Sequence, residues 1–454
     1  MSLLSINPST GATVATYDEM SAAEVDGALS EAHRAFEDWR RTTFEQRAVP
    51  MRRAAALLRA KAADYGTLMA TEMGKPVGQG KGEAEKCAWV CEYYADNAAQ
   101  FLKDQPAPSD ASKSYVTFQP LGPVLAVMPW NFPFWQVLRF AAPALMAGNT
   151  AVLKHAASVT GSALAIEQLF KDAGFPKGAF RTLRIPSGRV ADVIRSAQVA
   201  AVTLTGSTAA GQSVASAAGS VLKKTVLELG GSDAYVVLDD ADLDPAAETC
   251  VASRLINSGQ SCIAAKRFIV VQSVLGRFTE LFVERMRAKV VGDPFAPGVD
   301  LGPLARRDLR DELHRQVEAS VKLGASVLLG GTVPAGPGAF YPPTVLAGVA
   351  PGTPAYQEEL FGPVAAIIPA RDEADAIRIA NDSVFGLGAA VFTRDTARGE
   401  RVAREFAAGA CFVNAFVRSD PRLPFGGVKQ SGYGRELSAF GIQEFVNVKA
   451  VYVK

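Results

Sequence analysis

The chain has 454 residues, 48% of them hydrophobic, and its 47 basic side chains almost cancel 46 acidic ones. That length implies more than one domain, and the charge balance excludes a chain organised around a basic nucleic-acid surface. The five scattered cysteines speak against a disulfide framework and for a reducing, cytoplasmic setting, no run of about 18 apolar residues predicts a membrane span, and the N-terminus lacks the order of a secretory signal.

Residues 21–101 read as helices. "SAAEVDGALSEAHRAFEDWR" opens on Ser21 with Glu24 three positions later, a capping box. "RAVPMRRAAALLRAKAADYGTLMATEMGK" continues the helical spacing and stops near Gly74 and Pro76. The Pro- and Ser-rich stretch 102–120 turns into an alternating pattern and predicts an excursion or hairpin. From 121 the texture becomes short apolar runs separated by helical ones, which predicts an α/β fold with a parallel sheet and ligands at the strands' carboxyl ends. A second alternating section starts near 230, and the tail "QEFVNVKAVYVK" alternates like an edge strand able to pair with a partner chain. The expected division is therefore 1–101 with 121–230, then 231–442, with 102–120 and 443–454 as a bridging element.

Several stretches can carry chemistry, each beside a plainer reading. "LTGSTAAGQ" places Gly206 and Ser207 where a strand meets a helix, a setting that suits an anionic ligand but also an ordinary turn. Glu228 interrupts an apolar strand in "TVLELGGSDAYVVL". It either bends out at the strand end or is a general base with a raised pKa. Asn131 sits between Trp130 and Phe132 in "VMPWNFPFWQVLRF", either as an Asx-turn or as a fixed amide that donates to developing negative charge. Cys262 ends the polar turn "INSGQSC" before the apolar run "IAAKRFIV", as a small core hydrophobe or as a nucleophile open to substrate. The only histidines, His33, His155 and His314, are far apart, so no metal site is expected and any general base should be a carboxylate. Late in the chain, "EELFGPV" offers Glu359 and Phe361 to a ligand's sugar and ring, and Phe425 in "LPFGGVKQSGYGRE" can line a tunnel.

Together "PWNFP", "LTGSTAAG", "LELGG", "GQSC", "EELFGPV" and "PFGGVKQSGYGRE" resemble, in order and spacing, the NAD(P)-dependent aldehyde dehydrogenase superfamily. The resemblance spans essentially the whole chain. It implies a Rossmann-type cofactor domain, an α/β catalytic domain and a small β oligomerisation element, assembled as a homodimer or homotetramer. Cys262 would attack the aldehyde, Asn131 and the Cys262 N–H would hold the oxyanion, and Glu228 would activate water to release the thioester. Trp130, Lys154, Gly206, Ser207, Glu359 and Phe361 would hold the cofactor. Ala157 stands where NAD-preferring relatives often have Glu, so the cofactor is NADP or NAD with NADP favoured. The chain looks most like the short bacterial succinate-semialdehyde dehydrogenases. This implies a small carboxylated aldehyde as partner, Arg139 and Ser419 on its distal carboxylate, and Trp135, Ser261 and Phe425 along the substrate path. Glutarate semialdehyde is the alternative substrate, and a CoA-acylating enzyme and a non-catalytic relative are the rival classes. Longer relatives carry an Arg at the position of Ile256, for which Arg418 can substitute. They also have Cys where Ala264 stands, so a redox-switch disulfide is not expected.

Overall fold

Ser21 starts the helix Ala22–Trp39 as its sequence predicts: its hydroxyl accepts from the Glu24 N–H, and the Glu24 carboxylate accepts from the Ser21 N–H. The structure, a computed structural model, describes residues 2–454. Three more helices follow, Phe44–Ala60, Ala62–Met73 and Val77–Phe101. The apolar pattern of 48–74 reads as continuous, but the helix breaks at Lys61, whose backbone leaves helical geometry. Gly74 ends the next helix with φ +78, and a Cβ there would lie 2.7 Å from Pro303 Cγ.

The section from 121 builds a six-stranded sheet in the order Gly432–Tyr433, Lys224–Glu228, Ala201–Thr205, Pro123–Met128, Thr150–His155, Phe180–Thr182. All neighbours are parallel except Gly432–Tyr433, which returns from the far end of the chain to run antiparallel to Lys224–Glu228. The helices Trp135–Ala147, Thr160–Asp172, Val190–Arg195 and Thr208–Gly219 lie between successive strands. The strands Thr150–His155 and Ala201–Thr205 are buried along their whole length, as a sheet covered on both faces requires.

A seven-stranded sheet follows in the order Ser326–Leu329, Thr344–Ala347, Val364–Ala370, Arg267–Val271, Ala234–Val237, Gly388–Phe392, Ala410–Val413, parallel except for its first strand. Strand pairing thus changes sheet between Glu228 and Ala234, across Gly230 and Gly231.

The excursion is a hairpin, Gln105–Pro106 with Lys113–Pro120. The tail strand Val446–Val453 pairs with Lys113–Pro120 of its own chain, residue for residue from Val446↔Pro120 to Val453↔Lys113. The tail strand thus lies alongside the excursion, and its opposite edge remains open. An N-terminal hairpin, Ser2–Ile6 with Thr13–Asp18, completes the fold. Among the described residues no helix is long and apolar enough to cross a membrane, and all five cysteines are free thiols.

Candidate active site

Cys262 lies between the strand Ala234–Val237 and its neighbour Arg267–Val271, at the end of an unusual turn. Asn257, Ser258 and Gly259 all have positive φ, at 54°, 56° and 78°. Two of them are not glycine, a conformation that persists only where surroundings over-determine it. Here Asn257 Nδ2 donates to the carbonyls of Asn131 (2.7 Å) and Gln260 (3.0 Å), while Gln260 Oε1 accepts from the Ala305 N–H at 2.8 Å. The turn is therefore bolted to the loop that carries Asn131.

Asn131 is buried, and its Nδ2 donates to the Gln260 carbonyl at 3.1 Å. One amide hydrogen remains for another acceptor. Two side chains outside the sequence expectations hold its loop. Glu83 Oε1 accepts from the N–H groups of Phe134 and Trp135, both at 2.9 Å, capping the helix Trp135–Ala147. His155 Nε2 lies 2.9 Å from the Pro133 carbonyl and Nδ1 lies 3.2 Å from the Met128 carbonyl and 2.9 Å from the Ala156 nitrogen, so the ring ties this loop to the strand Pro123–Met128. Burial pushes its pKa down to about 4.

Cys262 is half-buried. Burial pushes its thiol up to about 12, and the charges of Lys266 and Arg139 pull the other way. Lys266 is a third side chain that sequence reasoning missed. Fully buried, its Nζ donates to the carbonyls of Ser261 (2.9 Å) and Cys262 (2.7 Å) and lies 3.4 Å from Glu359 Oε1. Glu359 also accepts from the Gly231 N–H at 3.0 Å. Gly231 must be glycine, since a Cβ there would lie 2.8 Å from the Cys262 carbonyl oxygen.

Glu228 is the last residue of its strand, opposite Thr205 on one side and Gly432 on the other. It is buried and neither carboxylate oxygen has a hydrogen-bond partner among the described residues. Desolvation, and then the nearby charge of Glu436, hold its pKa well above the usual carboxylate range.

Arg139 departs from expectation. Its guanidinium is not free: Nε faces the Glu436 carboxylate in a buried ion pair, Nη2 donates to Thr205 Oγ1 at 3.3 Å, and the group lies over the Phe425 ring at 4.7 Å. Glu436 had no role in the sequence reading, because only the fold brings it from residue 436 to the helix of residue 139.

The five predicted substrate residues, Arg139, Trp135, Ser261, Ser419 and Phe425, line one cavity of about 470 Å³. It reaches both neighbours of Cys262, Ser261 and Ile263. Ile256 and Arg418 line it too, Arg418 as an exposed rim residue. Ala264 is buried. Trp130 and Phe361 meet edge to face with centroids 5.8 Å apart. Lys154 is buried, donates to Ser187 Oγ at 3.2 Å, and makes no ion pair among the described residues. Ala157 begins a single helical turn after the same strand, half-buried. Gly206 precedes Ser207, the N-cap of the helix Thr208–Gly219, whose hydroxyl accepts from the Ala210 N–H at 3.3 Å. Other N–H groups of that first turn have no partner within the helix.

Known proteins resemble this chain along its whole length. Residues 2–451 match the aldehyde dehydrogenase family. The chain is 50% identical to the succinate-semialdehyde dehydrogenase [NADP(+)] of Mycobacterium avium strain 104, over 100% of this chain and 97% of that one. It is 48% identical to a probable succinate-semialdehyde dehydrogenase [NADP(+)] of Synechocystis, with both covered in full. The fold superposes with a TM-score of 0.97 on succinic semialdehyde dehydrogenase from Streptococcus pyogenes, solved with NADP+, at 39% identity over 99% of each chain. With both neighbours of Cys262 lining one cavity and a family match over residues 2–451, this chain belongs to the aldehyde dehydrogenase family.

Proposed function

We propose that the chain oxidises succinate semialdehyde to succinate with NADP as hydride acceptor. The observation that carries this reading is the cavity itself: it runs from the residues flanking Cys262 to a wall bearing Lys86, Arg139 and Ser419, the polarity expected for an aldehyde with a carboxylate at its other end. The full-length identity to enzymes of that name supports it.

The residues present fit the cofactor. Lys154 is a buried cation without a carboxylate partner, suited to a ribose phosphate, and Ala157 places no negative charge beside it. Gly206 and Ser207 lead into the helix N-terminus that suits a pyrophosphate. Trp130 and Phe361 frame an aromatic cleft, and Glu359 would accept from ribose hydroxyls. In this reading residues 1–101 and 121–230 bind the cofactor, 231–442 carry the nucleophile, and 102–120 with 443–454 bridge subunits. The exposed Val448, Tyr452 and Val453 of the open edge strand join a second copy in a homodimer or homotetramer.

The chemistry follows from the side chains. Glu228 accepts the Cys262 thiol proton as Sγ bonds to the aldehyde carbon, and a carboxylate held high by burial is the stronger base for it. Asn131 Nδ2 and the Cys262 N–H donate to the resulting oxyanion. Bound NADP supplies the acceptor for the hydride that leaves this carbon, and a thioester remains on Cys262. Glu228, having released its proton to solvent, then deprotonates a water. The water attacks the thioester, the C–S bond breaks, succinate leaves and the thiolate returns.

The test is an absorbance assay with purified protein on succinate semialdehyde, glutarate semialdehyde and butanal, with NADP and NAD, without CoA. The highest kcat/KM is expected for succinate semialdehyde with NADP. A preference for butanal, or a requirement for CoA, overturns the reading.

A further inference from the structure

Lys266 stands where the turn carrying Cys262 enters the sheet, one residue before the strand Arg267–Val271. Its backbone is fixed on both sides: the N–H donates to the Asp233 carbonyl at 3.1 Å, and the carbonyl accepts from the Ala366 N–H at 2.9 Å. A side chain rooted in this way has a fixed origin. It folds back onto the turn and is fully buried. Its ammonium faces the Ser261 carbonyl at 2.9 Å, the Cys262 carbonyl at 2.7 Å and the Glu359 carboxylate at 3.4 Å. Burial pushes its pKa down, and the charge of Glu359 counters this and favours the cation.

Two consecutive carbonyls on one cation fix two consecutive peptide planes. In a trans peptide the C=O and the following N–H point in opposite directions, and no described peptide bond is cis. With the Ser261 carbonyl turned towards Lys266, the Cys262 N–H faces away from it. With the Cys262 carbonyl turned the same way, so does the Ile263 N–H. Neither N–H donates to any described residue. The Ser261 carbonyl also accepts from the Ala264 N–H at 3.2 Å, so both of its lone pairs are engaged and its plane is held. The Asn131 amide reaches the preceding carbonyl, that of Gln260, at 3.1 Å. The unpartnered Cys262 N–H thus lies one peptide along the chain from the other candidate donor. An ammonium on a carbonyl oxygen also draws electron density through the amide, which makes its N–H a stronger donor.

We infer that Lys266 is a positioning residue for the oxyanion: it turns and polarises the Ser261–Cys262 peptide, whose N–H donates to the negative charge that develops on the aldehyde oxygen. It acts through that peptide and touches neither aldehyde nor cofactor. The inference rests on the aldehyde-oxidation reading above and deepens it by naming what holds the backbone donor. The charge develops only as Cys262 Sγ adds to the carbonyl carbon, so the help is given in the transition state and belongs in kcat rather than in KM.

The experiment compares two reactions of Cys262 in wild type, Lys266→Met and Lys266→Gln. One is single-turnover NADPH formation from succinate semialdehyde, which passes through the oxyanion. The other is alkylation by iodoacetamide at the same pH, a displacement at a saturated carbon that develops no oxyanion. Lys266→Met also removes a charge that favours the thiolate, so alkylation should slow as well, and the ratio of the two rates carries the result. Losing an oxyanion donor costs about 10²–10³ in rate, and loosening one costs less, so NADPH formation is expected to fall about 30-fold further than alkylation. KM for succinate semialdehyde and for NADP should stay close to wild type. Lys266→Gln keeps an N–H donor without the charge and should recover part of the ratio. The inference is overturned if both reactions slow by one factor, which assigns Lys266 to the thiol alone, if neither slows, or if the loss lies in KM for NADP, which assigns it to Glu359. Where Lys266→Met melts far below wild type, the same criteria apply to Lys266→Gln. Wild-type protein that forms no NADPH from succinate semialdehyde or butanal would overturn the aldehyde-oxidation reading itself, a result distinct from these.

Discussion

Arg139, which lines the cavity beside Cys262, forms a buried ion pair with Glu436, and the charge of Glu436 is one of the causes that lift the pKa of Glu228. The nearest-looking candidate for reading the substrate's acid thus already holds an acid of the protein.

Removing the guanidinium should therefore damage the fold and the base together. In Arg139→Gln, Glu436 is left buried without a counter-charge, a defect worth about 3–5 kcal/mol. Thermal melting should fall clearly, and activity on succinate semialdehyde and butanal should drop by a similar factor. Arg139→Gln combined with Glu436→Gln should regain much of the lost stability. An unchanged melting temperature with a loss confined to succinate semialdehyde would assign the substrate's acid to Arg139 instead.

Cys262 and Glu228 should fail at different steps. Cys262→Ala should form no NADPH. Glu228→Gln should turn over slowly and accumulate an acyl-enzyme, seen as a mass increase on the intact protein, because hydrolysis loses its base. Burial pushes the thiol up to about 12, so iodoacetamide labelling of Cys262 in the cofactor-free enzyme should climb through pH 9 without levelling off. A plateau near pH 7 would contradict a thiol held protonated by burial.

Charge at residue 157 should set the cofactor ratio. Ala157→Glu places a carboxylate near the 2′-phosphate, and two unit charges about 4 Å apart at an effective dielectric of about 20 interact by roughly 4 kcal/mol. Solvent reduces this, but kcat/KM with NADP should fall well below that with NAD. An unchanged ratio would show that Ala157 does not face the 2′-position.

His155 should make stability depend on pH. Its folded pKa of about 4 lies below the unfolded value, so the unfolded chain binds the extra proton first as pH falls. The stability is fully present above about pH 6.5 and is lost progressively between there and pH 4, by about 3 kcal/mol in all. Urea titrations at pH 7, 5.5 and 4.5 should show this slope in the wild type and a shallower one in His155→Gln. Parallel slopes would assign the acid sensitivity to other groups.

The sequence by itself determined the fold class and singled out the candidate reacting groups. Strand and helix signals are local, so "VAAVTLTGS" and "GACFVN" announce their strands, and Ser21 with Glu24 announces its helix start, without help from distant residues. Cys262, Glu228 and Asn131 are legible because each breaks its local pattern: a thiol at a turn, a charge in an apolar strand, an amide between prolines. Only the tertiary structure decided how those groups are supported and what is free to bind. The Arg139–Glu436 pair spans almost three hundred residues, and Lys266 acts on Cys262 through carbonyls, which no side-chain pattern encodes. Lys86 stands in the sequence as one lysine on a helix face. Whether it is solvated, paired or held bare in a cavity depends on what the fold packs against that face, because burial sets the cost of a charge and distant segments supply or withhold its partner.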